Sequence, residues 1–421
     1  MLFSSAKEEE LEISSQFEKK GVLYYEVKLI NRGIICKGCG TYHTNVKEYI
    51  HKKIVHSIYY GKPCTILFKH RRFLCPKCGK TAMDRNPFCS ESCRISDQTI
   101  LNILSFLKRY NNPFRAAAEY FRVAVSEVIR IFDRYCQMDR NPFTKVMCFD
   151  EVYFSRKRKK KYVLVIINFF NRAIIDVLKD RDKRTIASYL KGIDLKERNR
   201  VEYACIDMND SYREVLPRYL HNATIVADSF HVVKRVGKAL DEVRKKVMRR
   251  YESDKKSDGY YLLKYREEIL FGDSLSDKPV YNRHFHLPLS EFELMRKMKE
   301  LDKELADAYD LYQAYLSFNN TDYMDSLKAL NDLEEYINSC KVSGIKEFID
   351  LSNTLSNWKT EIINSFCKLK GQRVSNGPIE GRNSLIKKIL KIANGYSNFD
   401  RFRNRIIYSL NKFATHSFRP D

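Results

Sequence analysis

A stretch long enough to cross a membrane is missing from this 421-residue chain. Its longest apolar run, about residues 162 to 170, falls far short of the roughly 20 residues that a spanning helix needs. The opening segment MLFSSAKEEELE carries acids and lacks the apolar core of a secretory leader, so no signal peptide is expected. Neither a lipidation motif nor a long amphipathic terminal helix is present to hold a basic protein on a membrane surface. Acid is also scarce. Against 76 Lys and Arg there are 53 Asp and Glu, a formal charge of +23, which implies a polyanionic partner whose phosphates release counterions on binding. Tryptophan is limited to Trp358, read as a core residue rather than a base-stacking one.

Cysteine is abundant but unevenly spread. Of 12 in the chain, seven fall between positions 36 and 93, a clustering that points to a metal site in a reducing compartment rather than to disulfides. Cys36-Lys-Gly-Cys39 and Cys75-Pro-Lys-Cys78, each followed by glycine, have the form of two knuckles that present four thiolates to one tetrahedral zinc ion. Cys89 and Cys93 are read as ordinary thiols. Cys64 and His43, His51, His56 and His70 are left as non-ligands, because no spacing singles them out. From Asp97 to Cys136 the pattern turns helical, and the short spacing of the second and third segments fits a helix-turn-helix, with Ser126 as N-cap and Arg130 and Arg134 on one face of the recognition helix.

The run from Lys145 to His231 carries the chemistry. Residues 145–154 (KVMCFDEVYF), YVLVIINF and AIIDVL read as a three-stranded meander, followed by a helix over 183–191, a strand ending at Asp207, a helix from Ser211, a strand ending at Asp228 and a helix opening near His231. This βββαβαβα order lets the first strand lie beside the fourth. Strands so paired are about 4.8 Å apart, which brings Asp150 and Asp207 within reach of one another. Two ionised carboxylates that close repel by roughly 3 to 4 kcal/mol at an effective dielectric near 20, a cost that a divalent cation removes. Oxygen ligands suit Mg²⁺ or Mn²⁺ and in-line phosphoryl displacement by two metals. Residues 232–370 read as helical, with Lys234, Arg235, Lys238, Arg244, Lys245, Arg249 and Arg250 concentrating positive charge directly after the core. In Ser375-Asn-Gly-Pro-Ile-Glu380-Gly-Arg-Asn383-Ser, Pro378 marks a helix start capped by Asn376 or Gly377. Glu380 there either serves the helix dipole or is a third metal ligand.

The motifs FDEVYF, CIDMNDSY, VADSFHVVK, SNGPIEGRNSLIK and GYSNFDRFRNRIIY, in this order, resemble those of DDE transposases of bacterial insertion sequences, of the ISL-three type. The similarity runs from about Cys36 to Tyr408. It implies a multidomain α+β protein: a zinc ribbon over 1–95, a helix-turn-helix over 96–140, and an RNase H-like α/β core with a mixed five-stranded sheet. That core, over 141–231 and 371–421, is split by an all-α insertion over 232–370. The resemblance further implies Asp150, Asp207 and Glu380 as the catalytic triad and as ligands of two Mg²⁺ or Mn²⁺ ions, beside one structural Zn²⁺. Asp228 and His231 fall near the active site, as does Asn383; N-capping by Asp228 with a packed His231 is the structural alternative. DNA contacts are expected from Arg130, Arg134, Lys234, Arg235, Arg403 and the basic run Arg156, Lys157, Arg158, the last of which also reads as a solvated turn. The implied partners are double-stranded DNA, namely terminal inverted repeats and target, and a second copy of the chain on DNA. The location expected is the cytoplasm, at the nucleoid. A catalytically silent DNA-binding regulator and an RNase H-like nuclease or resolvase are the rival readings.

Overall fold

The computed structural model describes residues 10–30, 33–90, 93–155, 160–272 and 274–419. The basic run Arg156, Lys157 and Arg158 lies outside the described residues. The chain divides into two compact units, one of residues 1–140, 154–158 and 384–421, the other of residues 141–153 and 159–383.

The first unit opens with β1 (Leu11–Lys19), β2 (Val22–Leu29), β3 (Ile34–Ile35), β4 (Tyr42–His43), β5 (Val46–Tyr59), β6 (Lys62–Leu74) and β7 (Thr81–Met83). Its sheet runs β1-β2-β6-β5, with β7 on β6 and β2 parallel to β6. The period-two pattern of β2 sends Leu23, Tyr25, Val27 and Leu29 to one face, where Ile54, Ile66, Phe68 and Phe88 cover them. The ribbon expected from the cysteines is therefore part of a larger sheet domain. Cys64 is core in this sheet, and His56 and His70 are tied to Ser96 Oγ at 3.0 Å and the Asp84 carbonyl at 2.6 Å, consistent with their reading as non-ligands.

Three helices follow: α1 (Asp97–Lys108), α2 (Phe114–Phe121) and α3 (Val125–Tyr135). Ser96 caps α1 through the Thr99 N–H at 3.2 Å. Three residues, Arg122 to Ala124, join α2 to α3, and Arg122 takes a left-handed φ of 52° to turn the chain. The expected cap at Ser126 is corrected. α3 begins one residue earlier, with Ala124 in the N-cap position and no side-chain cap, so Ser126 lies inside the first turn.

The second unit contains β8 (Val146–Tyr153), β9 (Tyr162–Asn168), β10 (Ile174–Leu178), α4 (Lys183–Lys191), α5 (Leu195–Arg198), β11 (Tyr203–Ile206), α6 (Asp210–Tyr219), β12 (Thr224–Ala227) and α7 (Ser229–Arg249). The sheet order is β10-β9-β8-β11-β12, antiparallel across the meander and parallel from β8 through β11 to β12. The first strand thus lies beside the fourth, as the element order requires, and the one addition to that order is the single-turn α5. Next come α8 (Asp258–Tyr265), α9 (Glu268–Phe271), β13 (Val280–Asn282), β14 (Leu287–Leu289), α10 (Glu291–Leu301), α11 (Lys303–Asn320), α12 (Ser326–Val342), α13 (Lys346–Asn357), α14 (Lys359–Asn364), β15 (Lys368–Leu369), β16 (Gln372–Arg373) and the start of α15 (Gly377–Ile392).

The all-α expectation for residues 232–370 is corrected by the β13–β14 hairpin. Its strands are only three residues long, too short for alternation to register, and its turn residue His286 has a φ of 55°. A second correction concerns α7. Arg244 is 4% exposed and ion-paired to Asp241 and Glu267 within the helical packing, so it does not belong to a surface basic stripe. Trp358 is buried, as read from the sequence, with the Arg213 guanidinium 4.9 Å from its ring centre.

The final helix, α16 (Phe399–Leu410), belongs to the first unit, as does α15 from Ser384 onward. Lys108, at the end of α1, donates to the carbonyls of Tyr408 at 2.7 Å and Asn411 at 2.8 Å and also to that of Ala414, satisfying acceptors that a helix end leaves unpaired. Arg405, 1% exposed, donates to the carbonyls of Arg109 and Asn112, and Arg401 grips Asp133 of α3 at 2.6 Å.

Candidate active site and cysteine centre

The acids occupy one line across three parallel strands. In the pairing of β8 with β11, Cys205 stands opposite Cys148, and the same offset sets Asp207 level with Asp150. In that of β11 with β12, Ala227 stands opposite Ile206, which sets Asp228 level with Asp207. β8 is central in its sheet and apolar on both faces, so Asp150, 9% exposed, is a carboxylate surrounded by Val, Met, Cys and Phe. Its Oδ1 accepts from the Glu151 N–H at 2.8 Å, and its Oδ2 accepts from Asn383 Nδ2 at 2.7 Å.

Asp207 is differently placed. Its Oδ1 is buried without a hydrogen-bond partner among the described residues, and burial, reinforced by the negative charge of Asp150, pushes its carboxyl up to about 6. Glu380 lies in the first turn of α15, half-buried. Burial and the charges of Asp228 and Asp150 raise its carboxyl, while His231 and Lys234 partly offset them. No three of these acids bring oxygens within 4.8 Å of one another; among the described residues the one group of three or more potential ligands gathered that closely is the four cysteines.

Asp228 holds the N-cap position of α7, yet its side chain makes no cap bond. Instead Oδ1 accepts from the Asn376 N–H at 2.8 Å and Oδ2 contacts His231 Nδ1 at 2.7 Å. The second contact raises the His231 pKa. Asn376 itself is fully buried, its Nδ2 donates to the Phe149 carbonyl at 3.2 Å, and its own carbonyl accepts from the Glu380 N–H. The segment that begins α15 is thereby fastened to β8 and to the end of β12. Sequence reading offered Asn376 only as a candidate helix cap, without its ties to β8 and Asp228, and it missed the neighbouring group in which Glu151 pairs with Arg181 and accepts from Tyr212 OH at 3.0 Å. Their partners are far apart in the chain, and no local spacing announces them.

The basic residues are divided. Lys234 and Arg235 are exposed on α7, although Arg235 also donates to the Met208 carbonyl at 3.1 Å. Arg130 and Arg134 are exposed on α3, Arg130 paired with Glu127 at 2.5 Å. They line a cleft of about 410 Å³ that also includes Cys93 and Arg419. Arg403 is half-buried and donates to the Met138 carbonyl at 2.7 Å.

The cysteine centre is built from two hairpin tips. The first knuckle turns between β3 and β4 and the second between β6 and β7, each closed by a glycine N–H on the first cysteine's carbonyl at 2.9 Å. Gly40 and Gly79 each take a φ of 70°, a conformation costly for residues with a Cβ. The sulfurs of Cys36 and Cys78, and those of Cys39 and Cys75, are 3.5 Å apart, near the roughly 3.8 Å of thiolates bound at 2.3 Å around a tetrahedral ion. Thr41 beside Cys39 holds that thiol down, to about 6. Cys89 lies outside this group, its thiol donating to the Cys93 carbonyl at 3.1 Å.

Asp150 within β8, and Asp207 and Asp228 just past the ends of β11 and β12, bring carboxylates together at one part of the sheet. The profile of the family described as transposase, the DDE transposases of the ISL-three type, matches residues 147–406, more than half of the chain. The chain belongs to that family. It is also similar to the transposase for insertion sequence element IS1001 of Bordetella parapertussis, 22% identical over 248 residues, which are 56% of this chain. The match spans 60% of that relative's length. Among the described residues, no helix is long and apolar enough to cross a membrane.

Proposed function

We propose that the chain is a DNA transposase that binds the terminal inverted repeats of an insertion sequence and cuts and joins DNA strands at Asp150, Asp207 and Glu380. The observation that carries this reading is the alignment of Asp150 with Asp207 across two neighbouring parallel strands, inside the segment that the family profile matches. The sheet order β10-β9-β8-β11-β12, antiparallel across the meander and parallel beyond it, supports reading the second unit as an RNase H-like core whose last acid comes after a helical insertion. The donor set fits Mg²⁺ or Mn²⁺: the candidate ligands are all carboxylates, one Asp207 oxygen is buried without a partner among the described residues, and the neighbouring charges resist ionisation until a cation offsets them.

When bound, two divalent ions would activate the attacking oxygen and stabilise the leaving one. The chain's own part is to hold the acids. The Glu151 N–H and Asn383 orient the Asp150 carboxylate, while Asp228, with both oxygens engaged, fastens Asn376 and so sets the height of Glu380 over the sheet. That engagement favours an anchoring role for Asp228 and His231 over direct chemistry. The four thiols of Cys36, Cys39, Cys75 and Cys78 hold one Zn²⁺. The sheet around them and the three-helix unit, with Arg130 and Arg134 exposed on α3, supply end recognition, while exposed Lys234 and Arg235 follow a phosphate backbone. Two copies act together on DNA.

The test is incubation of the purified protein with labelled element ends and Mg²⁺ or Mn²⁺, mapping the nicked phosphates and the joined products. Asp150→Ala is expected to retain repeat binding and to lose nicking and joining. Cutting by that variant at the wild-type rate would sink the assignment.

A further inference from the structure

Among the described residues two amide oxygens near the acids, those of Asn376 and Asn383, are buried without a hydrogen-bond partner, and of the two amides only that of Asn383 donates its side-chain nitrogen to a carboxylate. Asn383 is 4% exposed, and its side-chain nitrogen donates to Asp150 Oδ2 at 2.7 Å. Its Oδ1 is buried with no hydrogen-bond partner. With its nitrogen given to Asp150, the amide keeps its carbonyl oxygen for another partner. A buried carbonyl left unsatisfied is destabilising, so a hydrophobic residue would serve packing better unless something else uses the oxygen. Asn383 follows Glu380 by three residues on α15, which places both on one face of the helix. Asp207 Oδ1, on the strand beside Asp150, is a further buried oxygen in the same condition. Hard divalent ions take amide carbonyls together with carboxylates.

We propose that Asn383 is an additional ligand of the acidic site, its nitrogen clamping Asp150 while its carbonyl oxygen joins the carboxylates in holding a divalent ion. This rests on the reading of Asp150, Asp207 and Glu380 as a cation site. Asn383 thereby has two duties that separate by substitution. Asn383→Leu removes both the donor and the oxygen while keeping the branched shape of the side chain. Asn383→Asp removes the donor and keeps an oxygen, now charged.

The experiment is Mn²⁺ titration of the full chain at pH 8, following free Mn²⁺ by electron paramagnetic resonance, for the wild type, Asn383→Leu, Asn383→Asp, Asp150→Ala and Asp207→Ala. Circular dichroism melts in chelator accompany it to establish that each variant is folded. The expected result is that Asn383→Leu weakens Mn²⁺ binding by about 10- to 100-fold, the range seen when groups around a metal are removed, while Asn383→Asp stays within a few-fold of wild type. Equal, large losses in both variants would show that Asn383 only positions Asp150, and wild-type binding by Asn383→Leu would show that it does neither; each overturns the proposal. If Asn383→Leu fails to fold, Asn383→Asp alone decides, since a pure positioning role predicts a loss there as large as that of Asp150→Ala. Were Asp150→Ala and Asp207→Ala to bind Mn²⁺ as tightly as wild type, the acidic-site reading itself would fall. That outcome is separate from the failure of Asn383 alone.

Discussion

Asp207 shows at the level of one residue how the site trades stability for readiness. With its carboxyl pushed up to about 6 from an ordinary value of 3.8, ionisation is harder in the folded chain than in the unfolded one, by up to roughly 3 kcal/mol. The sign follows from the raised value: this stability is fully present below about pH 4 and is lost as pH rises through 6. His231 adds a second loss, at higher pH, as its raised imidazole gives up the proton that favours Asp228. In chelator, wild-type melting temperature is therefore expected to fall between pH 4 and 6.5, and Asp207→Asn is expected to flatten that fall and to melt higher at pH 7. Equal pH profiles for the two proteins would contradict the placement. Mn²⁺ should raise the wild-type melting temperature at pH 7 and leave Asp207→Asn almost unmoved. The two aspartates were legible because each ends or centres a short apolar run whose order implied adjacency. The ties of Asn376 and the Glu151–Arg181–Tyr212 group were not, since polar residues in loops and on distant helices acquire partners only once the chain is folded.

At the scale of elements, strands with long apolar runs and helices with clear caps were readable, whereas elements stabilised by their neighbours were not. The meander and the two parallel strands fall within a few residues of their expected bounds, because a buried sheet is written as nearly continuous Val, Ile and Phe. The β13–β14 hairpin and the single-turn α5 escaped notice because so few residues carry no period. Charge was misread for the same reason: Arg244 looks like any basic residue on a helix until Asp241 and Glu267 close around it. Lys108, whose charge is likewise engaged inside the fold, supports a prediction. Lys108→Met should remove charge-assisted hydrogen bonds from three carbonyls and cost about 2 to 4 kcal/mol. Hydrogen exchange should quicken in α1 and α16 while β8 and β9 keep their protection, and uniform loosening of both units would argue against a local role. The cysteine knuckles behave likewise as elements held by what they bind: about one zinc per chain is expected, and Cys75→Ser should lose the metal together with the order of the β3–β4 and β6–β7 tips, as read by metal analysis and exchange.

For the whole molecule, the excess of 23 positive charges governs encounter more than specificity. If about six phosphates are neutralised, affinity for any duplex should drop by roughly a thousandfold between 50 and 200 mM salt. Preference for element ends over unrelated DNA should change far less, because it depends on base contacts. A salt-insensitive complex would mean that the charge is occupied elsewhere.

The distance along the chain from Asp150 to Glu380 has a temporal side as well. During synthesis at about 5 to 20 residues per second, the ribbon thiols, the three helices and both aspartates emerge roughly 9 to 35 seconds before Glu380 does. Throughout that interval the first unit is unfinished as well, because residues 384–421 belong to it and α16 is tied to α1 and α3 through Lys108 and Arg401. Chains that end before that point are thus expected to lack both the last candidate acid and the helix that closes the three-helix unit, so that fragments compete poorly with finished protein for DNA.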